Sequence, residues 1–336
     1  MIRARSPYII TINETGQATT KLELFISLTT FSGDPQYTFK KIIPSSNEPA
    51  TYYDIAPYIR EYFQHNAYTD ITTLTTSYGC DQKVNVRVKR YADNVLIDTN
   101  DYKATDGYSE FTDGYNYNGG SYLLDQKNYY YHSGSNAGYI LAYVQTGDKI
   151  RWTDSAAVTY LSSSLTNTFY YIPRAYDLRF TEQWKVEVLN SSDVVQATWM
   201  FYPVEECLYT PIKVDFINKY GAFQREFFFK ASTDTFNTEG KEYNIKQSIV
   251  DYNVSKGQKI AFNINGKQSI KVNSGWVNED FKDNLKQLML SEKILVDGKP
   301  AILKTNTMEL NKHLTTKQIN YALDFEFAYD YINTLV

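Results

Sequence analysis

Apolar and polar residues alternate most strictly near the end of the chain. From Ile319 to Tyr331 every odd position is large and apolar or aromatic (Ile319, Tyr321, Leu323, Phe325, Phe327, Tyr329, Tyr331), while the even positions read Asn320, Ala322, Asp324, Glu326, Ala328 and Asp330. Side chains on a strand point alternately to opposite faces, so this spacing predicts a strand with one apolar face and one acidic, solvated face. At about 3.4 Å per residue the strand would run roughly 40 Å, far beyond the usual five or six residues. Such a strand offers a long edge to a second sheet or a second chain.

The same period of two predicts strands over 8–12, 22–28, 37–43, 84–88 and 95–98, with turns at Gly16, Ser32 to Pro35 and Asp93-Asn94. Residues 54 to 64 change to a helical period, with Ile55, Ile59, Tyr62 and Phe63 on one side, Asp54 as N-cap and Pro57 in the first turn. From 139 to 202 short strands return, one pair joined by the turn Asn190 to Asp193, and a domain boundary falls near Pro203 to Glu206. The second half opens with a hairpin around Asn218 to Gly221 and continues with short strands near 243–245, 259–264 and 269–272. An amphipathic helix follows over 278–291, capped by Asn278 and carrying Phe281, Leu285, Leu288 and Met289 as its apolar stripe. Asp297-Gly298 marks a type I′ hairpin before the closing strand. The expected fold is mainly β: two antiparallel β-sandwich-like domains, 1–204 and 205–336, each with one short amphipathic helix.

Residues 102 to 139 lose both periods. Nine tyrosines stand there among Gly, Asn, Ser and Asp, including Tyr115, Tyr117, Tyr122, Tyr129, Tyr130 and Tyr131. A long segment without structure of its own is usually a functional loop, so an excursion from the first domain is expected here. Tyrosine among small polar residues is the mixture binding loops use, and aromatic faces also stack on sugars. The bland reading is that these rings pack on their own domain or on a neighbouring copy.

Composition narrows the function. The 336 residues carry 34 basic against 38 acidic side chains without a basic stripe, which argues against nucleic acid as the main partner. No apolar run reaches 18 residues, so no membrane span is expected. The first residues lack the apolar core of a secretory signal, and the isolated Cys80 and Cys207 read as free thiols in a reducing compartment. The 31 Tyr and 18 Phe exceed what two modest cores need, so part of the aromatic surface is expected to be covered by other subunits.

The local signatures of phosphate-binding loops, zinc proteases, serine hydrolases and EF-hands are absent from the sequence. His65, His132 and His313 lie in or beside polar segments and read as exposed side chains. Glu205 and Glu206 would face opposite ways on a strand, whereas Asp324, Glu326 and Asp330 share one face of the last strand. A glycosidase-like pair or cation site there competes with an ordinary solvated sheet face. The sequence therefore assigns no catalytic residue, no cofactor and no metal ligand.

Residues 207 to 336 resemble the C-terminal region of virion structural proteins of tailed bacteriophages and prophages of Bacteroidetes hosts. The similarity rests on YTPIKVDFINKYGAFQREFFFK (209–230), NSGWV (273–277), LMLSEKI (288–294) and NYALDFEFAYDYIN (320–333). The N-terminal Arg5-Ser-Pro-Tyr8 and the helix from Asp54 to Tyr62 are similar in kind but less specific. The resemblance implies a tail, baseplate or neck component assembled as a ring with itself and other virion proteins, made in the host cytoplasm and residing in the virion. It supplies no catalytic residues. Candidate contact residues are the six tyrosines named above with Phe325, Phe327, Tyr329 and Tyr331. The alternatives are a receptor- or glycan-binding module using the tyrosine-rich segment, a neck or collar ring, and a polysaccharide-degrading enzyme.

Overall fold

The computed structural model describes residues 1–43, 48–66, 68–76, 82–250, 252–278, 280–308 and 319–332. The chain is mainly β and sandwich-like in class, with several sheets and two short α-helices among the described residues. It divides into two compact units, Met1–Glu205 with Phe216–Arg225, and Glu206–Asp215 with Glu226–Val336.

The first unit holds β1 (Ile2–Arg3), β2 (Ile9–Asn13), β3 (Thr19–Ser27), β4 (Tyr37–Ile42), β5 (Ala50–Asp54), α1 (Ala56–Arg60), β6 (Lys83–Ala92) and β7 (Val95–Thr105). These are followed by β8 (Asn128–His132), β9 (Tyr139–Val144), β10 (Lys149–Asp154), β11 (Thr159–Leu161), β12 (Thr168–Pro173), β13 (Trp184–Leu189) and β14 (Val195–Val204). One sheet runs β1-β7-β6-β3-β4, and the β2-β5 ribbon shares its apolar core. The alternation explains that core: Ile10 and Ile12 from β2, Leu22, Leu24 and Ile26 from β3, and Val84, Val86 and Val88 from β6 are all buried, with Ile55 and Ile59 from the helical turn. Thr20, Thr51 and Tyr53 are buried too, and their hydroxyls satisfy one another at 2.8 Å. The helix is shorter than the sequence predicts. Asp54 stands one residue before its cap and accepts the amides of Ala56 and Tyr8, both at 3.1 Å, which holds the helix start to the N-terminal strand.

A second sheet, β11-β10-β13-β14-β8, and the β12-β9 ribbon complete this unit. Its interior is aromatic, with Trp184, Trp199, Phe201, Tyr139 and Tyr171 fully buried. Two pairings depart from the all-antiparallel expectation, since β1 lies parallel to β7 and β8 parallel to β14. In both cases the strand at the edge is not consecutive with its partner, so a crossing connection and not a hairpin joins the two.

The sheet that makes up most of the second unit runs β16-β15-β19-β20-β21-β18-β17, built from β15 (Ile212–Ile217), β16 (Phe223–Phe228), β17 (Lys230–Asn244), β18 (Lys259–Val277), β19 (Ile294–Val296), β20 (Lys299–Leu303) and β21 (Ile319–Phe327), with residues 216–217 and 223–225 counted to the first unit. Tyr321, Leu323, Phe325 and Phe327 are buried and Asn320, Ala322 and Asp324 are exposed, as the alternation of the last strand requires. Two expectations fail here. The strand ends at Phe327, and it is not an edge, because β18 and β20 pair with its two sides. Backbone at 328–332 bends away, so Tyr329 and Tyr331 leave the pleat and are exposed.

The helix α2 (Phe281–Met289) is shorter than 278–291 and is preceded by Asp280 at its cap. Leu285 and Leu288 are buried as expected, together with Asn284 and Gln287, and Asn284 Nδ2 donates to Glu226 Oε1 at 2.7 Å. A buried amide bonded to a buried carboxylate leaves no apolar signature, which is why the sequence pattern does not reveal it. The Asp297-Gly298 hairpin has positive φ at both residues, 48° and 80°, the geometry of a type I′ turn.

Phe325 is fully buried and Asp324 is exposed. Phe325→Ala is therefore expected to cost about 3–5 kcal/mol in urea denaturation of the full chain, and Asp324→Ala less than about 0.5 kcal/mol.

Candidate interaction surface

The three short strands expected between 243 and 272 are parts of two long ones. β17 and β18 pair antiparallel from Lys230↔Asn273 out to Asn244↔Lys259, forming an arm whose outer part, among the described residues, pairs with no other strand of the sheet. Gly266 lies within β18 and not at a turn, and the reason is a ring. A Cβ there would overlap Phe236, which packs across the glycine and meets Tyr331 edge-on at 5.1 Å between centroids. Beyond Gly266 the two strands shift register between Glu239 and Lys241, and Asn263 takes φ 50°.

The outer arm is exposed on both faces. Directly opposed residues of a β ladder share a face, so the pairs Lys241↔Phe262 and Tyr243↔Ile260 lie on one side, where Tyr243 and Phe262 meet edge-on at 5.6 Å. The tip carries Ile249 and Val250 at 98% and 96% exposure. A two-stranded ribbon has no interior, so its apolar side chains find no cover within the arm itself.

The tyrosine-rich segment is largely folded. Strand β7 continues to Thr105, a 3-10 turn occupies Phe111–Asp113, and β8 takes residues 128–132. Tyr129 and Tyr131 point into the core, where Tyr129 stacks on Phe201 at 5.5 Å and the Tyr131 hydroxyl donates to the Glu182 carbonyl. Arg174, almost fully buried, lies against both the Tyr129 and the Phe201 ring, at 5.2 and 5.1 Å, and donates to the carbonyls of Ala137 and Tyr139. Tyr122 meets Trp199 edge-on at 5.6 Å, and Tyr117 lies beneath the Arg3 guanidinium at 4.4 Å. Tyr130 is exposed on the outer sheet face and stacks on Tyr202. Of the ten candidate contact residues, Tyr129, Tyr131, Phe325 and Phe327 are thus interior and present no surface to a partner, because strand alternation turns them inward. Tyr115, Tyr130, Tyr329 and Tyr331 are exposed, and Tyr117 and Tyr122 are half-buried.

The stretch before Tyr115 presents something the sequence did not single out. Phe111 is fully exposed on the 3-10 turn. The turn is pinned by a reciprocal cap: the Asp113 carboxylate accepts the Glu110 amide at 2.9 Å and the Glu110 side chain accepts the Asp113 amide. On either side the loop is tied to the N-terminal strand. Ser109 N donates to Ser6 Oγ at 2.7 Å, and the Asn116 side chain bonds both the amide and the carbonyl of Ile9 at 2.5 and 2.7 Å. The phenyl ring is therefore held out on an anchored loop.

The candidate carboxylates are scattered or paired. Glu326 meets Lys304 at 2.9 Å, Asp330 lies beyond the end of its strand, and Glu206 accepts Lys230 Nζ at 2.7 Å. The Lys230 ammonium, with the Leu208 amide, holds the Glu206 carboxyl below its ordinary range. His65, expected at the surface, is mostly buried, with Nε2 at 2.8 Å from Asp106 and its ring stacked on Phe63. Cys207 is a free, exposed thiol, while Cys80 and His313 lie outside the described residues. Among the described residues no three His, Cys, Asp or Glu side chains are grouped as a metal site would need, and no helix is long and apolar enough to cross a membrane. An open groove of about 390 Å³ beside α2 and β20 is lined by residues such as Met289, Ile294 and Leu303, with Glu292 the one carboxylate in its wall. No protein-family model matches the chain, and no curated protein matches it.

Burial pushes the Tyr8 hydroxyl up from its ordinary 10.0 to about 12, with a smaller contribution from Tyr102, and burial pushes Tyr131 up further. A raised folded-state value means that the stabilisation is complete below the unfolded value near 10 and is lost as pH climbs through the folded one, because the unfolded chain releases the proton first. The urea midpoint of the wild type is expected to fall between about pH 9 and about pH 11.5. The fall should be smaller in Tyr8→Phe and Tyr131→Phe, each compared with its own midpoint near neutrality.

Proposed function

We propose that this chain is a non-enzymatic structural component of a tailed bacteriophage virion, in the tail or baseplate, assembling as an oligomeric ring with copies of itself and neighbouring virion proteins. The observation that carries the reading is the arm. A ribbon exposed on both faces, with Tyr243, Ile260, Phe262 and Ile264 on its outer half and an apolar tip, is covered when another chain packs on it. The free edge of β17 adds a row of backbone groups to which a neighbouring strand could pair. The resemblance of residues 207 to 336 to virion structural proteins points the same way. The groove beside α2 has a single carboxylate, Glu292, in its wall and no acid–base pair to support a hydrolytic reading of that groove.

A second reading, recognition of a host glycan or receptor, draws on Tyr115, which is 70% exposed on the anchored loop. Because β8 lies within residues 103 to 137, deleting that segment would remove a core strand. Tyr115→Ala is the appropriate probe, and unchanged binding to host cells disposes of this reading.

Light scattering on the purified chain, alone and with neighbouring virion proteins, is expected to show a multi-copy assembly. A variant in which 241–264 is replaced by a two-residue Asn-Gly turn should stay folded by circular dichroism and run as a monomer. A wild-type chain that is monomeric in both settings overturns the assignment.

A further inference from the structure

The arm and the Phe111 turn differ in shape and in charge. Residues 230 to 277 contain seven lysines against four carboxylates, whereas the rest of the chain has 27 basic against 34 acidic side chains. On the arm, Lys241 shares a face with Tyr243, Ile260 and Phe262. On the turn, Glu110 and Asp113 flank a phenyl ring that touches almost nothing of its own chain. One surface is a basic, apolar strip and the other an acidic, apolar knob.

We propose that the Phe111 turn of one copy docks on the Tyr243/Ile260/Phe262 face of the arm of a second copy, with the turn's carboxylates against arm lysines. The inference rests on the reading of the chain as an assembly subunit and names the contact that would build the assembly. Three observations carry it. The knob is already fixed by its reciprocal cap and by Ser6 and the backbone of Ile9, so docking costs little ordering of the loop. An aromatic ring held at a tip is the kind of anchor that dominates an interface when a partner buries it. The two surfaces are unlike, so the contact is head to tail, and repeated contacts of that type close into rings when the rotation permits. Opposite net charge on knob and arm favours this pairing over arm on arm or knob on knob.

The test is a charge exchange on the full chain, read by analytical ultracentrifugation. Phe111→Ser removes a side chain that supports nothing in its own fold and is expected to weaken self-association roughly tenfold or more. Glu110→Lys and Lys241→Glu should each weaken it by a similar factor, and the chain carrying both changes should recover most of the loss. Circular dichroism and the urea midpoint report folding, and Phe111→Ser keeps the test open if Glu110→Lys disturbs the cap. If the wild type associates while Phe111→Ser associates equally well, or the doubly changed chain is no better than the weaker single one, the proposed contact is wrong and the assembly reading stands. If the wild type does not associate at all, both fail.

Discussion

The second unit's sheet is covered by its own side chains only part of the way along β17 and β18. Ile270 and Val272 lie among the buried rows of the sheet, next to Leu323 and Phe325, and Phe236 and Tyr331 close the sheet's end over Gly266. Beyond that point each strand has only the other for company. Backbone hydrogen bonds hold such a ribbon together, but they bury no apolar surface, and burial is the dominant stabilising term in folding and in most association. Tyr243, Ile260, Phe262 and the tip residues therefore remain in water unless another molecule covers them.

The first unit uses its aromatic residues differently. Tyrosine serves there as a core residue with a polar end that reaches a backbone acceptor. Tyr129 donates to the Asp125 carbonyl at 2.8 Å, Tyr53 to the Thr20 carbonyl at 3.1 Å, and Tyr131 to the carbonyl of Glu182. Each ring is buried while its hydroxyl donates to a buried or part-buried carbonyl, a combination phenylalanine cannot offer. The buried Arg174 extends the same design, its guanidinium lying against two stacked rings and its N–H groups donating to carbonyls. Much of the aromatic excess is thus consumed inside the fold. What remains outside includes Phe111, Tyr115 and the arm, with Tyr52, Tyr130, Tyr209, Tyr329 and Tyr331 exposed elsewhere.

In the assembly proposed above, the anchored loop and the arm would be complementary solutions to one problem. A protein that associates needs exposed apolar groups, yet loose ones invite random aggregation. Phe111 is single, fixed and flanked by carboxylates, and the arm's apolar face is narrow and accompanied by lysine. Both arrangements limit the partners that fit.

The period-two pattern by itself determined the class of fold and the facing of individual strands. Leu22, Leu24 and Ile26, Val84, Val86 and Val88, and Tyr321 to Phe327 lie inward as their spacing requires, because a strand side chain has only two faces to choose between. The left-handed Asp297-Gly298 turn was legible for the same local reason. Tertiary structure alone decided what depends on neighbours distant in sequence. Gly266, a turn residue by its chemistry, became the seat of the Phe236 ring within a long strand. β21 became an inner strand and β17 one of the two edges, and Tyr129 and Tyr131 were drawn into the core from a segment with no visible period. Phe111 stayed outside because the loop around it is tied down at Ser6 and Ile9, more than a hundred residues away along the chain. Alternation records which face a residue takes, while the contacts that cover a face or leave it bare are made by chain segments that local spacing does not encode.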